Sequence, residues 1–232
     1  MLIIDSFTQG SPEWFAAKAG IPSASNFSKI VTSKGEPSKS RTGYMHQLAA
    51  EAITGRIEMG YVSANMEEGT KREDESRALY EMIEGVNVSQ VAVVYPDEQR
   101  RVLCSPDGLV FPGFNGYDLN RCESPYVFDI KDCPSAYGLE LKNVLPKTQI
   151  ERLLNGKLPS EYFHQHQGSM WICGFDRWDF FSCCIREGVK ESLPPFKLTV
   201  GRNEKFISAL ALELDKFCLE LAQVVRKIKD MG

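Results

Sequence analysis

Between residues 86 and 200 short β-branched or aromatic runs alternate with two helical stretches, and that order limits the fold more than any other feature. Residues 86–95 carry several valines and stop at Pro96-Asp97, which reads as a strand. Residues 101–104 form a second strand that turns at Ser105-Pro106-Asp107-Gly108. Residues 126–130 and 137–142 follow as short strands, 178–186 as a largely apolar buried strand, and 196–200 as a shorter one. Residues 148–154 and 161–172 have helical spacing. Strands bracketed by helices in this way predict an α/β fold, with a central mixed β-sheet flanked by helices. No domain boundary is visible. The chain reads as a single domain: a helical part over about 1–85, a sheet-bearing core over about 86–200 and a C-terminal helix over about 202–230.

The flanking helices have clear local signals. Ser11-Pro12-Glu13 supplies a cap, a proline at the first helical position and an acid near the positive end. Gly20 closes this helix, and residues 23–27 start a short one. Residues 32–41 form a polar loop with Gly, Pro and several cations, and helical spacing resumes over 44–53. Residues 65–83 read as a long charged helix whose apolar face is Ala78, Leu79 and Met82. The last helix places Phe206, Leu210, Leu214, Phe217, Leu221, Val224 and Ile228 at steps of three and four, the stripe of a helix docked on the core.

Composition removes several classes of function. In 232 residues, 43% hydrophobic and 25% charged side chains exclude a disordered chain. A net charge of −4 argues against a globally basic DNA-coating protein, although it leaves room for a local basic groove. No stretch approaches the ~18 apolar residues of a membrane span, and Met1-Leu2-Ile3-Ile4-Asp5 lacks the features of a signal peptide. The seven cysteines are odd in number and form no C-x-x-C, and only three histidines are present. A disulfide framework or a structural zinc site is therefore not expected. Reduced thiols in a cytoplasm, with no membrane partner, are.

Asp107 falls at a strand end. Glu140 and Lys142, two apart on a later strand, project from one face. Two carboxylates meeting at neighbouring strand ends make a hard-oxygen site suited to Mg²⁺, and the Leu141 carbonyl can add a third oxygen. Lys142 can orient a water or stabilise developing charge on a phosphate. Asp129-Ile130-Lys131 is a second triplet of the same kind, and periodicity alone does not choose between the two.

The residues downstream of Glu140 add to the pattern. Pro146, Gly156, Pro159 and Tyr162 lead into Gln165-His166-Gln167 and then Met170-Trp171. Upstream stand Trp14 to Ser25, Gly69 to Glu73, Ala78 to Glu81 and Gly85 to Val88. This ordered array, spanning most of the chain, resembles the phage lambda exonuclease family, viral recombinase nucleases of the PD-(D/E)-x-K superfamily. The resemblance favours Glu140, which stands at the usual distance before the Gln-x-Gln helix, and leaves Asp129/Lys131 as the rival pair. There are two departures. Asp107 and Glu140 are 33 residues apart, which points to an insertion around residues 113–137, and Lys18 stands where the family has an arginine.

The resemblance implies a restriction-endonuclease-like core and a specific activity. That activity is 5′→3′ exonucleolysis of linear double-stranded DNA to 5′ mononucleotides, leaving 3′ single-stranded tails for annealing. It also implies one or two Mg²⁺ ions per site, with Mn²⁺ as a substitute, a homotrimeric ring around DNA and a single-strand annealing partner. Carried onto this chain, Asp107, Glu140 and the Leu141 carbonyl hold metal, while Lys142 positions the nucleophile or the scissile phosphate. Glu73 adds a ligand through water, and Gln165 orients water or phosphate. Gln167 and His166 point elsewhere, and His166 has no catalytic role. Lys18 and Ser25 are candidates for the 5′-phosphate, and Lys34, Lys39 and Arg41 for the DNA backbone. Two other readings remain open: a different PD-(D/E)-x-K endonuclease, and a catalytically silent module that binds DNA ends.

Overall fold

A computed structural model describes residues 1–57, 72–113, 125–185 and 193–232. The expected helix over 65–83 therefore lies partly outside the described residues, as do part of the expected insertion and the end of the strand over 178–186.

The chain opens with strand β1 (Leu2–Ile4) and helix α1 (Pro12–Lys18). The Ser11 hydroxyl accepts the Trp14 N–H at 3.2 Å, a cap worth about 1 kcal/mol. A 3₁₀ turn (Ala24–Lys29) and α2 (Arg41–Thr54) follow, so the helix starts at the last residue of the expected loop. Next come α3 (Glu73–Glu84), β2 (Val93–Tyr95), β3 (Gly108–Val110) and β4 (Tyr126–Val127). Strand β5 (Tyr137–Asn143) leads through α4 (Pro146–Asn155) and α5 (Phe163–Cys173) to β6 (Arg177–Cys183). Strand β7 (Phe196–Gly201) and the long α6 (Glu204–Lys229) close the chain.

The fold is mixed α/β, but its strands divide into two sheets. A mixed four-stranded sheet runs β3-β5-β6-β7, with β5 and β6 parallel and the outer pairs antiparallel. The parallel pair needs a long crossover, and α4 and α5 supply it. A small antiparallel sheet runs β2-β1-β4. The strand expected over 86–95 is paired as a ladder only at its end. Val88 donates its N–H to the Glu81 carboxylate at 2.7 Å, and Ser89 makes an isolated bridge to Leu109. The expected strand over 101–104 is likewise reduced to bridges at Leu103 and Cys104.

β5 is buried on both faces, so its residues 137–141 show no exposed alternation. Leu139 and Leu141 pack with Tyr80, Val110 and Phe181 on one side. On the other side, Glu140 and Lys142 face Gln165 and Tyr162. Glycine is required at two points around this strand. A Cβ on Gly138 would lie 2.2 Å from the Trp178 ring, and one on Gly168 of α5 would lie 2.5 Å from Phe27. The absence of these methyls lets β6 and the N-terminal turn approach β5 and α5 closely.

α6 docks as its stripe predicts through Leu221: Phe206, Leu210, Leu214, Phe217 and Leu221 are buried, Val224 packs at the edge, and Ile228 is exposed. Of the face expected on α3, only Leu79 packs against the core, beside Tyr80. Met82 is 74% exposed and Ala78 is exposed, whereas Ser76, Arg77 and Tyr80 are buried. The buried face is polar because its partners are polar. Tyr80 donates to Asp179 at 2.7 Å, and Arg77 reaches the carbonyl of Asp107 at 3.2 Å. Hydrophobic periodicity has no means of identifying such a face.

Candidate active site

The antiparallel pairing of β3 with β5 sets Gly108 opposite Leu139, which brings the preceding Asp107 beside Glu140 and Leu141. Asp107 Oδ2 accepts the Leu141 N–H at 2.7 Å and lies 3.4 Å from Lys142 Nζ. The same ammonium is 2.5 Å from Glu140 Oε1 and donates to the Leu141 carbonyl at 2.9 Å. Three oxygens from Asp107, Glu140 and Leu141 thus converge on one cation. Gln165 Nε2 donates to the other Glu140 oxygen at 2.6 Å, and the Tyr162 ring lies 5.7 Å from Lys142 Nζ.

Burial, the charge of Glu140 and the ammonium of Lys142 compete at Asp107. Burial dominates and holds its carboxyl up at about 6. Lys142 is displaced upward: burial opposes its charge, but Asp107 and Glu140 together outweigh that cost. Glu73 is also raised, chiefly by burial and then by the nearby charge of Asp107. Its carboxylate is bound to Arg77 at 2.6 Å.

These residues fit a divalent cation. The donor set is two carboxylates and a carbonyl, all hard oxygens, and they already surround a positive charge. The Lys142 ammonium stands where such an ion's charge would be balanced. Among the described residues no group of three or more His, Cys, Asp or Glu side chains gathers as a metal cluster.

The rival triplet is arranged otherwise. Asp129 caps a short 3₁₀ turn (Ile130–Asp132), accepting the Lys131 N–H at 3.0 Å, and both side chains are exposed. Gln167 serves structure, donating to the Gly201 carbonyl at 3.0 Å and accepting the Asn203 N–H at 2.7 Å. His166 is fully buried, its Nδ1 lies 2.9 Å from the Tyr162 carbonyl, and burial lowers its pKa to about 4.

Lys18 lies over the Trp14 ring at 3.6 Å and lines a cavity of about 230 Å³ with Ser23, Tyr44, Gln47 and Glu51. Burial lowers its pKa to about 8. Ser25 is exposed and its hydroxyl is 3.1 Å from that of Ser23. Trp14 Nε1 is 3.2 Å from the Ser105 hydroxyl, which links this cavity to the turn carrying Asp107. Lys34 and Lys39 are exposed. Arg41 is tied to α6 instead, through Glu213 at 3.2 Å and Glu220 at 3.1 Å, with its guanidinium over Phe217. In the structure without DNA, the Arg41 guanidinium therefore packs α2 against α6.

Sequence reasoning missed Arg77 and Gln9, whose amide donates at 2.9 Å to the carbonyl of Pro106 and steadies the same turn. The i,i+4 spacing of Glu73 and Arg77 was a usable signal for the first. Nothing local marks the second.

Two carboxylates, a carbonyl oxygen and a lysine converge where the turn into the edge strand β3 meets the inner strand β5, a donor set suited to metal-assisted phosphodiester hydrolysis. The model of the YqaJ-like viral recombinase domain matches residues 13–176, and the chain belongs to that family. It is similar over 95% of its length, and 97% of the other chain, to the crystal structure of an alkaline exonuclease, LHK-Exo, from Laribacter hongkongensis, with 27% identity and a TM-score of 0.74. The same enzyme in complex with dAMP matches with a TM-score of 0.73, 27% identity and the same coverage. A phage-related exonuclease from Haemophilus somnus 129PT shares the fold at a TM-score of 0.58 and 12% identity, over 90% of this chain and 96% of that one. No curated protein is a significant match. Family and fold together make the protein a nuclease.

Proposed function

We propose that this protein is a Mg²⁺-dependent exonuclease. It would degrade one strand of linear double-stranded DNA from the 5′ end, release 5′ mononucleotides and leave a 3′ single-stranded tail. The observation that carries this reading is the convergence of Asp107, Glu140 and the Leu141 carbonyl on the Lys142 ammonium, within a chain of the viral recombinase family. That LHK-Exo was crystallised with dAMP supports a mononucleotide as product.

Asp107, Glu140 and the Leu141 carbonyl would hold one or two ions, with Mn²⁺ as a substitute. A bound divalent ion supplies a lowered pKa for the attacking water and charge stabilisation for the leaving 3′ oxygen. Lys142, whose ammonium lies among these three oxygens, would position the nucleophile or the scissile phosphate. Gln165, already hydrogen-bonded to Glu140, fixes that carboxylate's rotamer and offers its amide oxygen to a water. Glu73 lies at the edge of the site as a ligand through water. Lys18 and Ser25, beside the 230 Å³ cavity, would take the 5′-phosphate, and Lys34 and Lys39 the DNA backbone.

The resemblance also carries a homotrimeric ring, a single-strand annealing partner and a single nuclease domain over all 232 residues. The cytoplasmic reading is supported by the six described cysteines, all free thiols. Among the described residues no helix is long and apolar enough to cross a membrane.

The test is linear duplex DNA labelled at one 5′ or 3′ end, incubated with Mg²⁺ or EDTA beside a covalently closed circle. Mg²⁺-dependent release of 5′-labelled mononucleotide from the linear DNA alone is expected, lost in Glu140→Ala and retained in Asp129→Ala. Cleavage of the circle would favour an endonuclease, and binding of ends without release would favour a silent module. Light scattering reads the trimer, and a monomer at working concentration would sink the ring.

A further inference from the structure

Arg77 stands between the two halves of the site. It is 7% exposed, and one terminal nitrogen reaches both Glu73 Oε1 at 2.6 Å and the Asp107 carbonyl at 3.2 Å. The other terminal nitrogen holds Asp74 Oδ1 at 2.6 Å. Its buried Nε has no partner. One turn later, Tyr80 anchors the same helix by donating to buried Asp179. Glu73 is on α3 and Asp107 is on the turn into β3, two elements that approach from different parts of the chain. A planar guanidinium with several fixed donors can set the relative position of two such groups, which a flexible ammonium cannot.

We propose that Arg77 is a positioning residue for the metal site: it sets the Asp107 turn and the Glu73 carboxylate at the separation that a divalent cation requires. The inference rests on the metal-dependent reading above. It adds a residue that touches neither metal nor substrate and acts through two that do. Partners of this kind commonly change metal affinity by 10–100-fold when removed.

The experiment measures Mg²⁺ binding by calorimetry on the protein without DNA, and the Mg²⁺ dependence of nucleotide release. The variants are Arg77→Gln, Arg77→Lys and, as a comparator, Tyr80→Phe. The half-saturating Mg²⁺ concentration is expected to rise about 10-fold or more in Arg77→Gln and less in Arg77→Lys. Release at saturating Mg²⁺ should return to within a few-fold of the wild type. Tyr80→Phe should lower the melting temperature without moving Mg²⁺ half-saturation, which separates positioning from general stability. Should Arg77→Gln fail to fold, Arg77→Lys alone and combined with Glu73→Gln decides. If Arg77 acts through Glu73, the two effects are less than additive. Unchanged or tighter Mg²⁺ binding in the Arg77 variants overturns the proposal, and tighter binding would mean that Arg77 withholds Glu73 from the ion. A wild type that binds Mg²⁺ without releasing nucleotide would sink the exonuclease reading and leave the positioning role standing.

Discussion

Replacing Asp107 with asparagine should make the metal-free protein more stable while abolishing its activity. Burial is the first cause of the raised Asp107 pKa, which moves from an ordinary 3.8 to about 6 even with Lys142 close by. A carboxyl with a folded pKa above its unfolded one binds its proton more tightly when folded. Its cost to stability is therefore absent below about 3.8, grows with pH, and is fully present above about 6. At about 1.4 kcal/mol per pH unit the cost is ~3 kcal/mol at pH 8. Asparagine keeps an oxygen for the Leu141 N–H and discards the buried charge. For a chain of this size ~3 kcal/mol corresponds to roughly 6–12 °C in melting temperature. The assay is thermal denaturation in EDTA at pH 8 and near pH 4, paired with nuclease activity in Mg²⁺. Asp107→Asn should melt higher at pH 8, lose that advantage near pH 4, and release no nucleotide. A variant that melts below the wild type at pH 8, or keeps the same advantage at both pH values, would refute the assignment of burial as the dominant effect at this carboxylate.

Gly138→Ala should destabilise by about 1–3 kcal/mol, because its methyl would fall 2.2 Å from Trp178 in the wall of the catalytic strand; denaturant titration measures this. Arg41→Ala should lower the melting temperature by loosening α2 from α6, and leave affinity for DNA ends within about two-fold in a filter-binding assay. The preference for 5′-phosphorylated over 5′-hydroxyl ends should fall as pH rises through about 8, where Lys18 loses its charge. A preference that holds steady to pH 9 would remove Lys18 from the phosphate site.

The sequence by itself determined the α/β class, the caps of α1, the stripe of α6 through Leu221 and the separate elements of the site. Each depends on neighbours within a turn or a strand, where spacing and side-chain type carry the information. It also marked Glu140 and Lys142 as sharing a face, and their side chains lie 2.5 Å apart. Only the tertiary structure decided how the strands divide into two sheets, since isolated bridges and full ladders draw on the same β-branched residues. It alone brought Asp107 across 34 residues to Leu141 and left Asp129 capping its own turn. The polar inner face of α3 and the packing of Arg41 against α6 were settled there too. Those groups satisfy hydrogen bonds and charges contributed by distant parts of the chain, and a buried polar group takes whichever partner the fold delivers.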